Sequence, residues 1–230
     1  DALGVFRGID RIKDIKYTAL TPNEKGFDNA LEAKVDEVSV FTAASETFNK
    51  KNTNCDIETS LNRFKPIIYK ALKNKIPIRG YISCVSHCPY ETYVDPKKVG
   101  KIADELIKMG CYEVSLGDTT GKGSPIQTTK VIEECLKFLT PDKLAGHFHD
   151  TFQNALDNIK ISLDYGIKTF DASVGGLGGC PYSPGAKGNV STEKVNNLLL
   201  SMGYETNLNI AKIRECNKIA SNLKEHGSYE

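Results

Sequence analysis

The segment His147-Phe148-His149-Asp150 carries the strongest chemical signal in the chain. It closes a short β-forming run, LAGHFHD, from Leu144 to Asp150. Side chains alternate faces along a strand, so the two imidazoles point the same way while Phe148 packs on the other side. That geometry suits chelation of one metal ion. The competing reading is two histidines making ordinary hydrogen bonds near a strand end. Half of the chain's four histidines fall in this one triplet, which favours the metal. A second signal is GGLGGCPYSPGAKGN, Gly175 to Asn189, where six glycines and two prolines exclude the interior of a helix or strand. Loops of this kind and length are usually functional or disordered, and a cysteine at the centre favours function. Cys180 could be a buried structural thiol, a redox-sensitive thiol, or an acid–base group.

The elements that must position these groups are legible in the hydrophobic period. Six β-rich runs are expected as strands: Ile15 to Thr21, Val35 to Ala44, Ile76 to Val85, Cys111 to Asp118, Leu144 to Asp150 and Ile167 to Val174. Amphipathic stretches lie between them, including IETSLNRFKPIIYKALKN, DPKKVGKIADELIKMG and QTTKVIEECLKFL. The second opens on Asp95-Pro96 as cap and first turn and closes at Gly110. Strict alternation of strand and helix implies a parallel sheet covered by helices, either a closed barrel or an open doubly wound sheet. Polar or reactive residues stand at the C-terminal end of nearly every strand, the face on which barrels assemble their sites, so the barrel is favoured. Six strands fall short of the usual eight. The expected architecture is therefore one α/β domain over residues 1–230, a (β/α)8 TIM barrel lacking about its first two strand–helix units. A helical extension follows Asn189.

Composition limits the partners. Lys and Arg total 30 against 29 for Asp and Glu, so no charge excess points to nucleic acid or an anionic membrane, and any anionic ligand needs a local site. Seven cysteines without the regular spacing of a stapled secreted module fit a reducing compartment. No apolar stretch approaches a membrane span, and the first residues lack a secretory signal's apolar middle, so an intracellular chain is expected.

SVGGLGGCPY (Ser173 to Tyr182) resembles the cysteine-bearing active-site signature of 3-hydroxy-3-methylglutaryl-CoA lyases. GHFHDT, SLGDT, RGYISC and LTPNEKGF resemble the same family's strand-end blocks, in family order. The resemblance covers essentially the whole chain. It implies His147, His149 and Asn189 as ligands of a divalent metal, Mg²⁺ or Mn²⁺, and Cys180 as the catalytic thiol. It also implies Asp118 as an active-site carboxylate, for which the residues alone equally allow an N-cap of the following helix. Asn52, Ser115 and Gly179 are its substrate-contacting positions. The activity implied is retro-Claisen cleavage of the acyl-CoA to acetyl-CoA and acetoacetate by a homodimer. The location implied is the mitochondrial matrix in a eukaryote or the cytoplasm in a bacterium. Related synthases, such as those making homocitrate or isopropylmalate, share the HxH strand but carry a different loop. The family's Arg-Asp pair on its first strand and Glu on its second have no counterpart here, which leaves a non-catalytic remnant as another reading. Lys194 stands where the family usually has an acidic residue after Glu193, which questions a contact supporting the loop. His87, with Cys84 and Cys88, has poor spacing for a second metal site.

Overall fold

The protein is represented by a computed structural model that describes residues 2–183, 185 and 188–226. The elements run α1 (Ala2–Gly8), β1 (Thr18–Leu20), α2 (Glu24–Glu32), β2 (Glu37–Ala43), α3 (Glu46–Thr53), α4 (Ile57–Lys73) and β3 (Ile78–Ser83). A hairpin of β4 (His87–Cys88) and β5 (Thr92–Tyr93) comes next. It is followed by α5 (Pro96–Met109), β6 (Glu113–Asp118), α6 (Pro125–Cys135), β7 (Leu144–Phe148), α7 (Ala155–Asp164), β8 (Thr169–Asp171), α8 (Thr192–Ser201) and α9 (Ile210–His226). All six expected strands are present, with ends shorter than the hydrophobic runs. The β4–β5 hairpin was not expected, because two-residue strands are too short to show a period.

The six main strands form one parallel sheet in the order β1-β2-β3-β6-β7-β8. Neighbours in the sheet follow chain order apart from the inserted hairpin, so there is no switch point where the winding reverses. That is the winding of a barrel wall and not of a doubly wound sheet. Parallel strands covered by helices are buried on both faces, and every residue of β6 is buried. Alternation still sorts the side chains. A Cβ added at Gly80 would lie 3.1 Å from Leu106 on α5, so Gly80 faces the helices and its neighbours Arg79 and Tyr81 face the opposite, interior side.

The helices obey their sequence signals. Asp95 caps α5 by accepting from the Lys97 amide, Pro96 fills the first turn, and Gly110 ends the helix at φ 124°. Val99, Ile102, Ala103 and Leu106 give α5 a buried stripe at helical spacing. Gly100 lets α5 approach α6 closely: a Cβ there would sit 2.7 Å from the Glu134 carbonyl. α6 opens with a full capping box between Ser124 and Gln127. The helical extension also acts on the glycine loop. Gly175 adopts φ 65°, and a Cβ on it would meet Ala220 and Asn217 of α9 at 3.0 Å.

Candidate active site

Residues of β1, β2, β3, β6 and β7 and of the glycine loop line an open cavity of about 590 Å³, with Asn52, His147, His149, Gly179, Cys180 and Asn189 among its lining residues. Six of the eight expected site residues thus meet in one hollow. Ser115 and Asp118 do not line it.

Strand alternation explains His147 and His149. Their rings are 5.5 Å apart and share the cavity, while Phe148 is buried in a separate apolar cluster with Ala155 and Ile159 of α7. β7 formally ends at Phe148, and His149 continues as an isolated antiparallel bridge to Asn189. That bridge brings the glycine loop to the strand. Asn189 donates its side-chain amide to the carbonyls of Leu177 at 2.9 Å and Gly178 at 3.1 Å, which leaves its carboxamide oxygen as the group available to a ligand.

These residues fit a divalent metal on their own chemistry. Nδ1 of His149 is buried and without a hydrogen-bond partner, a costly state for a polar atom that a ligand would relieve. Burial first, and then the neighbouring His147, push the His149 pKa down to about 4. The ring is therefore neutral at physiological pH, as a metal ligand must be. His147 has its Nδ1 occupied by Asp171 Oδ2 at 3.2 Å, so its Nε2 is the free nitrogen. Among the described residues no group of three His, Cys, Asp or Glu side chains is placed to hold a metal. With the Asn189 amide oxygen as a third donor, the set would be mixed nitrogen and oxygen, which suits a divalent cation with open positions better than a closed thiolate zinc site does.

Cys180 is half-buried on the loop, and burial raises its thiol pKa against hydrogen bonds from the Tyr182 and Ser183 amides. The thiol is thus held protonated, the state of a proton donor. Across the loop, the Tyr90 hydroxyl donates to the Tyr182 carbonyl at 2.8 Å. The β4–β5 hairpin that carries Tyr90 is therefore part of the site's frame.

Asp118 and Ser115 take other positions. Gly117 and Thr119 line the cavity, so the residue between them faces away from it. Asp118 is buried and accepts from Ser86 Oγ at 3.0 Å and from the Gly123 amide at 2.9 Å. Burial outweighs these bonds and raises its pKa. It braces the 118–123 turn and is not the cap of α6, which is Ser124. Ser115 lies deeper in the interior and donates to Asp171 Oδ2 at 2.8 Å. Lys194 makes a contact of its own, an ion pair with Asp150 Oδ2 at 2.8 Å that ties α8 to the residue after His149. Cys88 Sγ is engaged with Ser45 Oγ at 3.0 Å and with the Tyr90 amide at 3.3 Å, and so anchors the hairpin.

Sequence reading missed Asp171 and Arg79. Arg79 donates through Nη1 to Asp171 Oδ1 at 2.6 Å and through Nε to Glu113 Oε1 at 2.6 Å. Burial disfavours ionising Asp171, but the hydrogen bond with His147 and the charge of Arg79 outweigh it and bring the pKa to about 2. The available signal was weak: charged residues within β-forming runs, a position where charges are uncommon unless paired.

Comparison with known proteins places the chain in a family and on a fold. The HMGL-like family model matches residues 5–219. A 3-hydroxy-3-isohexenylglutaryl-CoA/hydroxy-methylglutaryl-CoA lyase of Pseudomonas aeruginosa is 51% identical over 206 residues, covering 90% of this chain and 69% of that protein. A cytoplasmic 3-hydroxy-3-methylglutaryl-CoA lyase of Danio rerio is 47% identical over 215 residues, 94% of this chain and 64% of its own length. The chain thus spans about two thirds of the length of these relatives. The crystal structure of the HMG-CoA lyase from Brucella melitensis superposes with a TM-score of 0.95 at 45% identity, covering 98% of this chain and 80% of that one. An HMG-CoA lyase from Acinetobacter baumannii in complex with coenzyme A and 3-methylmalate gives 0.92 at 32% identity, covering 100% of this chain and 75% of that one. By the family model and these identities, the chain belongs to the HMGL-like family, on the TIM-barrel fold of the hydroxymethylglutaryl-CoA lyases.

Proposed function

We propose that the protein is a carbon–carbon lyase that cleaves 3-hydroxy-3-methylglutaryl-CoA to acetyl-CoA and acetoacetate, with Mg²⁺ or Mn²⁺ held by His147, His149 and Asn189. The observation that carries the proposal is the unpartnered, buried Nδ1 of His149 in the same cavity as His147, Asn189 and Cys180. When bound, the cation supplies Lewis-acid polarisation of the substrate's hydroxyl and neighbouring carboxylate.

The chain's own residues do the rest. Transfer of the alcohol proton to a water molecule at the cavity mouth lets the carbon–carbon bond break. The C–O bond becomes the ketone of acetoacetate, and the broken bond's electron pair passes to the carbon next to the thioester carbonyl as an enolate. Cys180, kept protonated by burial, delivers a proton to that carbon. The glycine loop carries the thiol over the cavity and excludes water from the enolate. Gly179, beside the thiol, lets the loop backbone approach the substrate. Asn52 sits where this cavity joins a second hollow of about 500 Å³ lined by Asn23, Phe41 and Arg63. We place the pantetheine arm along that track, with Arg63 supplying positive charge towards the CoA phosphates. Asp118 and Ser115 act from behind the cavity wall by holding the 118–123 turn and Asp171.

The relatives include proteins named cytoplasmic and mitochondrial. No helix among the described residues is long and apolar enough to cross a membrane. A homodimer in the reducing interior of the cell completes the proposal. The test is acetoacetate release from 3-hydroxy-3-methylglutaryl-CoA with Mn²⁺ or Mg²⁺, in parallel with Mn²⁺ titration of His147→Ala and His149→Ala. Each variant should lose metal affinity and activity together. Activity that survives in the double variant at normal metal stoichiometry would remove the metal assignment.

A further inference from the structure

We propose that Asp171 is the positioning residue of the metal site: it fixes the tautomer and the orientation of the His147 ring. The inference rests on the reading of His147 as a ligand.

The carboxylate is the centre of a built cluster. Its Oδ2 lies 3.2 Å from His147 Nδ1 and accepts from Ser115 Oγ at 2.8 Å, while its Oδ1 accepts from Arg79 Nη1 at 2.6 Å. Those partners come from β7, β6 and β3, and His147 and Asp171 stand opposite each other in the β7–β8 register. An ionised carboxylate can only accept, so the bond puts a proton on Nδ1 of His147, and in the neutral ring Nε2 then keeps the lone pair. The ring is fixed on a second side as well. Tyr81 meets it edge-on, with centroids 5.9 Å apart and planes at 87°, and the Tyr81 hydroxyl accepts from Arg79 Nη1 at 2.5 Å. One guanidinium therefore holds both groups that hold the imidazole.

Stability alone does not account for this cluster, since buried ion pairs are often no better than well-packed apolar residues. Positioning does account for it. Carboxylates bonded to the outer nitrogen of a ligating histidine set its tautomer and strengthen it as a donor.

Two measurements decide the point. Long-range nitrogen–proton NMR on the wild-type protein at pH 8 without metal should find His147 protonated at Nδ1; protonation at Nε2 would overturn the proposal. Mn²⁺ titration by calorimetry should find that Asp171→Asn weakens binding about 10- to 100-fold with unchanged stoichiometry at saturation. Wild-type affinity in that variant, beside a clear loss in His147→Ala, would sink the role of Asp171 while leaving the metal site standing. If His147→Ala also binds Mn²⁺ normally, the ligand assignment itself fails and the inference goes with it. Should Asp171→Asn fail to fold, Ser115→Ala is the second variant, since it frees the same oxygen by removing only a hydroxyl. It should weaken Mn²⁺ binding in the same direction, and unchanged affinity would count against the proposal.

Discussion

At the scale of single residues, the site divides by how far each contact reaches along the chain. His147 and His149 are two positions apart on a strand, and the period of a strand alone makes them neighbours. Cys180 and Asn189 belong to one loop whose composition announces it. Asp118 shows the limit of such reasoning. A strand end can be read from sequence, but the face taken by its last side chain depends on the parity that packing imposes, and here parity sends Thr119 to the cavity and Asp118 behind it. Cys180 carries the prediction that belongs at this scale. Cys180→Ala should reduce turnover by about 10²- to 10⁴-fold, the usual worth of a positioned acid, with Mn²⁺ affinity held within two-fold. Because burial raises the thiol's pKa, iodoacetamide should modify Cys180 slowly at neutral pH, with a rate that climbs as pH passes above the ordinary thiol range. Fast alkylation at neutral pH would mark a thiolate nucleophile and refute the proton-donor role.

Among the elements, the β4–β5 hairpin holds the cysteine loop in a way its two-residue strands do not advertise. Tyr90 packs against Phe48 with ring centroids 6.3 Å apart and lies under Lys51 Nζ at 4.9 Å. The aromatic ring is thereby fixed, and its hydroxyl is free to hold the cysteine loop through the Tyr182 carbonyl. Glu91 on the same hairpin accepts from the Thr47 amide at 2.6 Å and anchors the device to α3. Tyr90→Phe keeps the ring and removes one hydrogen bond of about 1 kcal/mol. The loop should then open about five-fold more often, read as a similar rise in the alkylation rate of Cys180 with no change in melting temperature. An unchanged rate would show that the loop is held elsewhere. The long helices were legible because caps and apolar stripes are local: Asp95, Pro96 and Gly110 mark α5 without reference to the rest of the fold. The hairpin was not, since its two-residue strands show no period and the contact that anchors it, Cys88 Sγ to Ser45 Oγ, spans 43 positions.

Over the whole molecule, the proposed metal ties the end of β7 to the glycine loop, which α8 and α9 support from outside. A ligand that binds only the folded state stabilises it by mass action, about 2.7 kcal/mol at a hundred times its dissociation constant. For a chain of this size that corresponds to a rise of about 5–10 °C in melting temperature. Mn²⁺ should produce this rise in the wild type, EDTA should reverse it, and the His147→Ala/His149→Ala double variant should show neither. An equal rise in the double variant would place the stabilising metal elsewhere. Sequence by itself determined where the six strands lie, which stretches coil into helices between them, that two imidazoles share one face, and that a glycine-rich loop carries a cysteine. Each of these follows from interactions within a few residues: strand alternation, helix period, caps and glycine's freedom to turn. Tertiary structure alone decided that Asp118 faces away from the cavity and that Tyr90 latches the loop. It also brought Arg79, Ser115 and Asp171 under His147. Arg79 and Asp171 are 92 positions apart, and strand register joins them, since closing so long a stretch of chain is favourable only when the whole sheet assembles.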